Sequence, residues 1–527
     1  MRGTYAAIIR LAGIGLYLCA AVPLSAQTQA PLSVIDWLDQ PAPLADLPRA
    51  PQIAAPLNEP AVTQSGSAPR ITTRPLSGTP SPAVGLVPSK ITGMRPDIWA
   101  GSEPQILSQI MNDLPDLDLP AANALLFTLL LAEADAPIGG QTAQDTLTVA
   151  RVQKLMALGA VDPALALIEQ AGAASSRALF DVWMDLSLLV GTEDTACGAL
   201  SRAPYLTQDM STRIFCAARG GDWDTAALTF GSASALSLVP REKLDVLDRF
   251  LHPDAFDEAG PLPAPRTIDP LTFRLFETIG EPLPTRRLPR AYAVADLRDV
   301  AGWKTQLEAA ERLTRAGALP DNRLLGLYTN RRPAASGGVW DHVRAVQQFD
   351  TSLGLGSAEA VAKTLAPAWG EMARAGLEVS FSALFAERVS QIPLSGATQN
   401  LQARMVLLSA DYETVAGALP DTINLGPHTM LIRAVARGEA PAIAPSEALP
   451  FAIHDAFTAP TPRAEWVEMA RNQRLGEALL ATLGALNDGA RGDSGALREA
   501  LGTLHALGLE DTARRASLQL LLLEDRP

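Results

Sequence analysis

The side chains that could do chemistry are few and scattered. The five histidines, His252, His342, His428, His454 and His505, show no metal-ligand spacing with one another, and each reads as structural or exposed. No phosphate loop, dinucleotide fingerprint or Ser-x-x-Lys pair is present. "RGDSG" (491–495) contains a fragment of a serine-protease nucleophile motif. It lacks the second glycine, and a helix cap by Asp493 or Ser494 accounts for it better. Asp113, Asp116 and Asp118 in "NDLPDLDLP" would suit calcium, but without a turn glycine or closing glutamate they read as helix caps. Two basic spots, Arg286, Arg287 and Arg290 in "TRRLPR" and Arg331 and Arg332 in "NRRP", could grip a carboxylate-rich partner or a glycan; solvated charge is the alternative. No catalytic residue, cofactor or metal site is expected.

The elements that would position any site are helical. Of the 527 residues 47% are apolar but only 5% aromatic. Small, alanine-rich packing suits helix against helix better than a sheet, which favours β-branched and aromatic side chains. The formal charge of −14 makes nucleic acid and anionic membrane surfaces unlikely partners on electrostatic grounds. Residues 1–26 read as a signal peptide: Arg2 and Arg10 flank an apolar run (11–24) too short to span a bilayer, and "LSA" offers small residues for cleavage. A retained anchor is the alternative. Lipidation at Cys19 is disfavoured by Leu18 before it. No later run reaches spanning length, so the expectation is a periplasmic or otherwise exported chain without a transmembrane span after cleavage. Export leaves Cys197 and Cys216, which read as a disulfide, or else as two small buried apolar groups.

Residues 27–101 hold 13 of the 41 prolines and read as a disordered arm. Within it "LSVIDWLDQP" (32–41) gathers Ile35, Trp37 and Leu38 around one tryptophan. This is either a segment that folds back onto its own helices or a tethered motif that docks in a partner's groove. A second apolar island, 83–99, ends at Trp99. Order is expected from "SEPQ" (102–105), with Ser102 as a helix cap and Gln105 reaching back. Asp118 is expected to cap the next helix, with Pro120 in its first turn. Helices then follow without a convincing strand. The expected division is 102–252 and 301–527 as two helical arrays, joined by a proline-rich junction with a short helix at 253–300.

One pattern repeats. "GAVDPA" at Gly159, "GTEDTA" at Gly191, "GDWDTA" at Gly221 and "GLEDTA" at Gly508 all read Gly-x-x-Asp-x-Ala, where composition predicts about one such match. The first three are spaced by 32 and 30 residues. Glycine suits a left-handed helix end. The acids Asp162, Asp194, Asp224 and Asp511 suit the start of the next helix. The alanines Ala164, Ala196, Ala226 and Ala513 allow close helix approach, and Ala171, Ala203 and Ala233 recur two turns later. The pattern resembles the tetratricopeptide repeat (TPR) family over residues 150–240 and near 500, without that family's usual small residue in the first helices or its closing proline. The resemblance implies an all-α, TPR-like helix-hairpin solenoid, with Cys197 and Cys216 stapling neighbouring hairpins. The function expected is a non-enzymatic scaffold or adaptor binding envelope proteins through its repeat surface and its N-terminal motif. The alternative is a cell-wall glycan enzyme or its accessory subunit.

Overall fold

The computed structural model of the protein describes residues 83–523. The signal peptide, Cys19 and the motif of Ile35, Trp37 and Leu38 lie outside the described residues. Within them the protein is all-α, with no strand. The first group of helices is α1 (Ser89–Thr92), α2 (Pro104–Asp113), α3 (Pro120–Leu131), α4 (Gly140–Leu158), α5 (Val161–Gln170), α6 (Arg177–Val190) and α7 (Glu193–Arg202), then α8 (Met210–Arg219), α9 (Trp223–Ala235), α10 (Arg241–Leu251) and α11 (Pro270–Thr278). Successive helices pack in pairs, and α6 also touches α4 and α11. A proline-rich return follows, with 3-10 turns at Thr285–Arg287 and Arg290–Leu297. The second group is α12 (Trp303–Arg315), α13 (Asp321–Asn330), α14 (Val339–Gly354), α15 (Ala358–Ala375), α16 (Glu378–Ser390) and α17 (Gly396–Leu407). The third is α18 (Tyr412–Ala416), α19 (Thr429–Arg437), α20 (Ala448–Thr458), α21 (Ala464–Arg471), α22 (Leu475–Ala490), α23 (Ser494–Ala506) and α24 (Glu510–Leu522).

Order begins earlier than residue 102. The described end of the expected arm, 83–101, is folded: Ile98 and Trp99 are fully buried, and Val84 and Met94 nearly so. Two devices hold it. The buried Arg151 guanidinium donates to the carbonyls of Val84, Leu130 and Ala132 at 2.7–2.9 Å, matching a planar fork to three acceptors that a charged donor binds strongly. Burial pushes its pKa down to about 10, so it stays charged at neutral pH. At the other end Trp99 packs directly on Gly476, where any Cβ would meet the indole at 2.2 Å.

The helix caps also differ from expectation. Ser102 does not cap α2, whose first flanking residue is Glu103; its hydroxyl donates to Glu477 Oε2 at 2.9 Å. Nor does Asp118 cap α3. The orphan N–H of Ala121 is satisfied by Gln519 Oε1 at 2.9 Å, from α24 at the far end of the chain. The last helices thus pack on the first: α22 on α2 and α3, and α24 on α3.

The apolar core therefore does not divide at 252 and 301. One cluster joins residues 84–295 with residues 403–522, and a second occupies 293–405. Within 253–300 the part up to 267 is mostly exposed, but α11 packs on α6 and the 290–297 turn on α4, α6 and α12.

Candidate functional site

The repeat glycines set the floor. Gly159, Gly191, Gly221 and Gly508 all stand at positive φ, between +77° and +86°, at the bends α4–α5, α6–α7, α8–α9 and α23–α24. Ala164, Ala196, Ala226 and Ala513 are fully buried beside them. Two turns on, Ala233 is buried within α9, whereas Ala171 and Ala203 sit at the ends of α5 and α7, partly buried against the core. The acids lie in the first turns of α5, α7, α9 and α24, but none accepts a backbone N–H. Asp194 takes Arg219 at 2.6 Å, Asp511 takes Tyr412 and Arg515 at 2.8 Å, and Asp162 faces Arg323 at 3.6 Å. The cap made at α9 comes from Asp222, which accepts from Thr225 N–H, rather than from Asp224. Cys197 on α7 and Cys216 on α8 form a disulfide with Cα atoms 4.9 Å apart, stapling one hairpin to the next. Closing a loop of this length contributes about 3 kcal/mol, chiefly by restricting the unfolded chain.

Over the Gly159 bend passes the proline-rich return. A Cβ at Gly159 would lie 2.6 Å from Leu313 and 2.9 Å from the Arg290 stem. Arg290 grips Asp116 with both nitrogens, at 2.7 and 3.2 Å. Asp118 pairs with Arg491 at 2.7 Å. These two acids thus serve guanidinium groups, not helix N-termini. Beside Arg290, α12 presents Arg312 and Arg315 from its last turn. Arg312 donates to the carbonyls of Thr285 and Leu288, which pins the return. Burial, then the charge of Arg290, hold Arg312 below the ordinary guanidinium range; Asp296 opposes this and Arg315 adds to it. Arg315 spends only Nε, on Ala375 O at 2.7 Å.

Three adjoining cavities surround these arginines. The first, about 440 Å³, is lined by Arg290, Arg312, Arg315, Asp116, Asp118 and Asn123. The second, about 340 Å³, shares Arg315, Asn123 and Gly376 with it and adds Phe127, Leu319 and Val379. The third, about 600 Å³, shares Arg312 and is walled by the return, including the exposed Arg286 and Arg287. No histidine or cysteine lines any of them. Forked, permanently charged guanidiniums on a chain of net charge −14 are suited to carboxylate or phosphate oxygens.

Of the residues singled out from sequence, Arg286 and Arg287 line the third cavity and Arg290 the first, while Arg331 and Arg332 line none of the three. The histidines are dispersed: His252 faces Asp248 and His342 faces Glu311, each at 2.8 Å, His428 lies 4.0 Å from Glu447, and His454 and His505 rest on Phe451 and Phe457. Among the described residues no group of three His, Cys, Asp or Glu side chains could hold a metal. Asp493 caps α23, accepting from Ala496 N–H at 3.0 Å. Sequence reasoning missed Arg312 and Arg315. Three residues apart at a helix C-terminus, they look like ordinary dipole partners, and nothing local marks them as cavity walls. The chain matches no family model, no curated protein and no solved structure.

Proposed function

We propose that this chain is an exported, non-enzymatic scaffold: a TPR-like stack of helix hairpins that binds another protein of the cell envelope. The observation that carries the reading is the cleft of about 600 Å³ walled by exposed Arg286 and Arg287, with Arg312, Asp296 and Glu308 also on its walls and the guanidiniums in excess. On an acidic molecule such a spot selects an acidic partner surface, because like-charged alternatives are repelled everywhere else. Paired hairpins supply the rigid frame, and the disulfide limits sliding between two of them. The segment of Ile35, Trp37 and Leu38 serves as a second, tethered contact.

Crosslinking in intact cells followed by mass spectrometry tests this. Exchanging Arg286 and Arg287 for glutamate should remove the main crosslinked partner while the helical circular dichroism stays unchanged. Deleting residues 30–40 should weaken the same partner without shifting the melting temperature. A partner set indifferent to both changes would refute the scaffold reading.

A further inference from the structure

The first two cavities form a site of a different kind from the open cleft. They share Arg315, Asn123, Pro120 and Gly376, and their walls divide by chemistry. One side carries the guanidiniums; the other carries Phe127, Leu319 and Val379. Arg290 is committed to Asp116, and Arg312 to two carbonyls. Arg315 is anchored by Nε alone, so its two terminal nitrogens are uncommitted on an exposed side chain that lines both cavities. Two further groups on these walls have unmet hydrogen-bonding capacity. Asn123, 5% exposed, donates to Leu117 O, yet its Oδ1 has no partner; Thr314, 4% exposed, has no partner for its hydroxyl. Both of these atoms are shielded from the cavities, so the polar group offered to an occupant is the exposed Arg315 guanidinium. Asp321 also lines the second cavity; burial raises its carboxyl, against a hydrogen bond from Ser380.

We propose that this pair of cavities binds a small amphiphilic carboxylate, its anionic group on the Arg315 fork and its alkyl or aryl part against Phe127, Leu319 and Val379. The volumes fall in the range of small-molecule pockets, where apolar walls give affinity and a few polar groups fix orientation. Arginine favours the planar, two-oxygen carboxylate because both forks match. Gly376, the left-handed end of α15, lies beside Arg315: a Cβ there would meet Nε at 3.4 Å, an ordinary van der Waals contact. This function is separate from partner binding at Arg286 and Arg287, and either can hold without the other.

The test uses the full chain and the fluorescent anion 8-anilinonaphthalene-1-sulfonate as reporter, displaced by octanoate, by octanamide and by an acidic peptide, hexaglutamate. Octanoate should displace the reporter at least tenfold more effectively than octanamide. Arg315→Gln should abolish that preference, whereas Phe127→Ser should weaken octanoate and leave its advantage over the amide intact. Melting temperatures within a few degrees of wild type exclude unfolding as the cause, and Arg286→Glu should change neither ligand. Equal displacement by octanoate and octanamide, stronger displacement by hexaglutamate than by octanoate, or an Arg315→Gln variant with unaltered preference would each overturn the assignment.

Discussion

The same six-residue pattern makes four bends, and two of them live in different surroundings from the other two. At Gly159 and Gly191 the chain returns over the bend: Leu313 and Arg290 crowd the first, and the Arg298 guanidinium lies 3.3 Å from a Cβ built on the second. At Gly221 and Gly508 nothing lies within 4 Å of such a Cβ. The backbone is nonetheless alike at all four, with positive φ and a fully buried alanine five residues on. A bend of this kind is a local property of glycine, acid and alanine. What covers it is decided by residues far along the chain, from Arg274, 83 positions after Gly191, to Leu313, 154 positions after Gly159.

The covered bends should therefore be the sensitive ones. Gly159→Ala has to place a Cβ in left-handed backbone, at about 1–2 kcal/mol. It must also displace Leu313 and the Arg290 stem, and overpacking of that kind costs about 1–3 kcal/mol. The expected loss, about 2–5 kcal/mol by urea denaturation, should come with a loosened Arg290–Asp116 pair. A cost equal to that of the same change at Gly221 would break the distinction between covered and open bends.

A second consequence of covering is electrostatic. The hairpin of Gly191 lies under α11, and burial there pushes Asp185 on α6 up to about 7, with Asp269 and Asp181 adding their charges, Lys243 opposing and Asp209 adding a little. Lys243 itself is paired with Asp269. Because the folded value lies above the unfolded one of about 3.9, the folded state binds the proton more tightly. The contribution of this carboxyl to stability is then fully present below about pH 4, declines as pH rises toward 7, and is lost above it. Asp185→Asn should remove that decline. The expected gain is on the order of 2–4 kcal/mol at pH 8 and none at pH 4, read from melting curves at the two pH values. A gain independent of pH would show that the carboxylate's charge is not what the covered hairpin resists.

How far these features were legible follows the same line between local and distant. The helices, the four bends, the capping Asp493 and the cysteine pair are written within a few residues, or in two cysteines 19 positions apart. Gln519 as the cap of α3 was not legible, because a side chain 398 positions away supplies it. Asp118 is a good cap by type, yet Arg491 takes its carboxylate. Trp99 looked like the end of a proline-rich arm because the surface that buries it, around Gly476, lies far along the chain. The candidate site divides likewise: Arg286, Arg287 and Arg290 stand out as a basic run, whereas Arg312 gains meaning only from the return that crosses α12, and Arg315 from the end of α15.

The open bends give the smallest effect and the sharpest control. Gly221→Ala and Gly508→Ala meet no neighbour, so only the left-handed backbone penalty remains, about 1–2 kcal/mol each. The two sites lie in different hairpins and share no partner, so the double variant should lose the sum of the two within about 0.5 kcal/mol. Gly159→Ala combined with Gly221→Ala should add in the same way, because the crowding at Gly159 comes from Leu313 and Arg290 and not from the α8–α9 hairpin. Denaturation midpoints of the singles and doubles measure this directly. If Gly221→Ala cost 4 kcal/mol or more, an unseen neighbour would have to cover that bend as well, and its being open would be wrong.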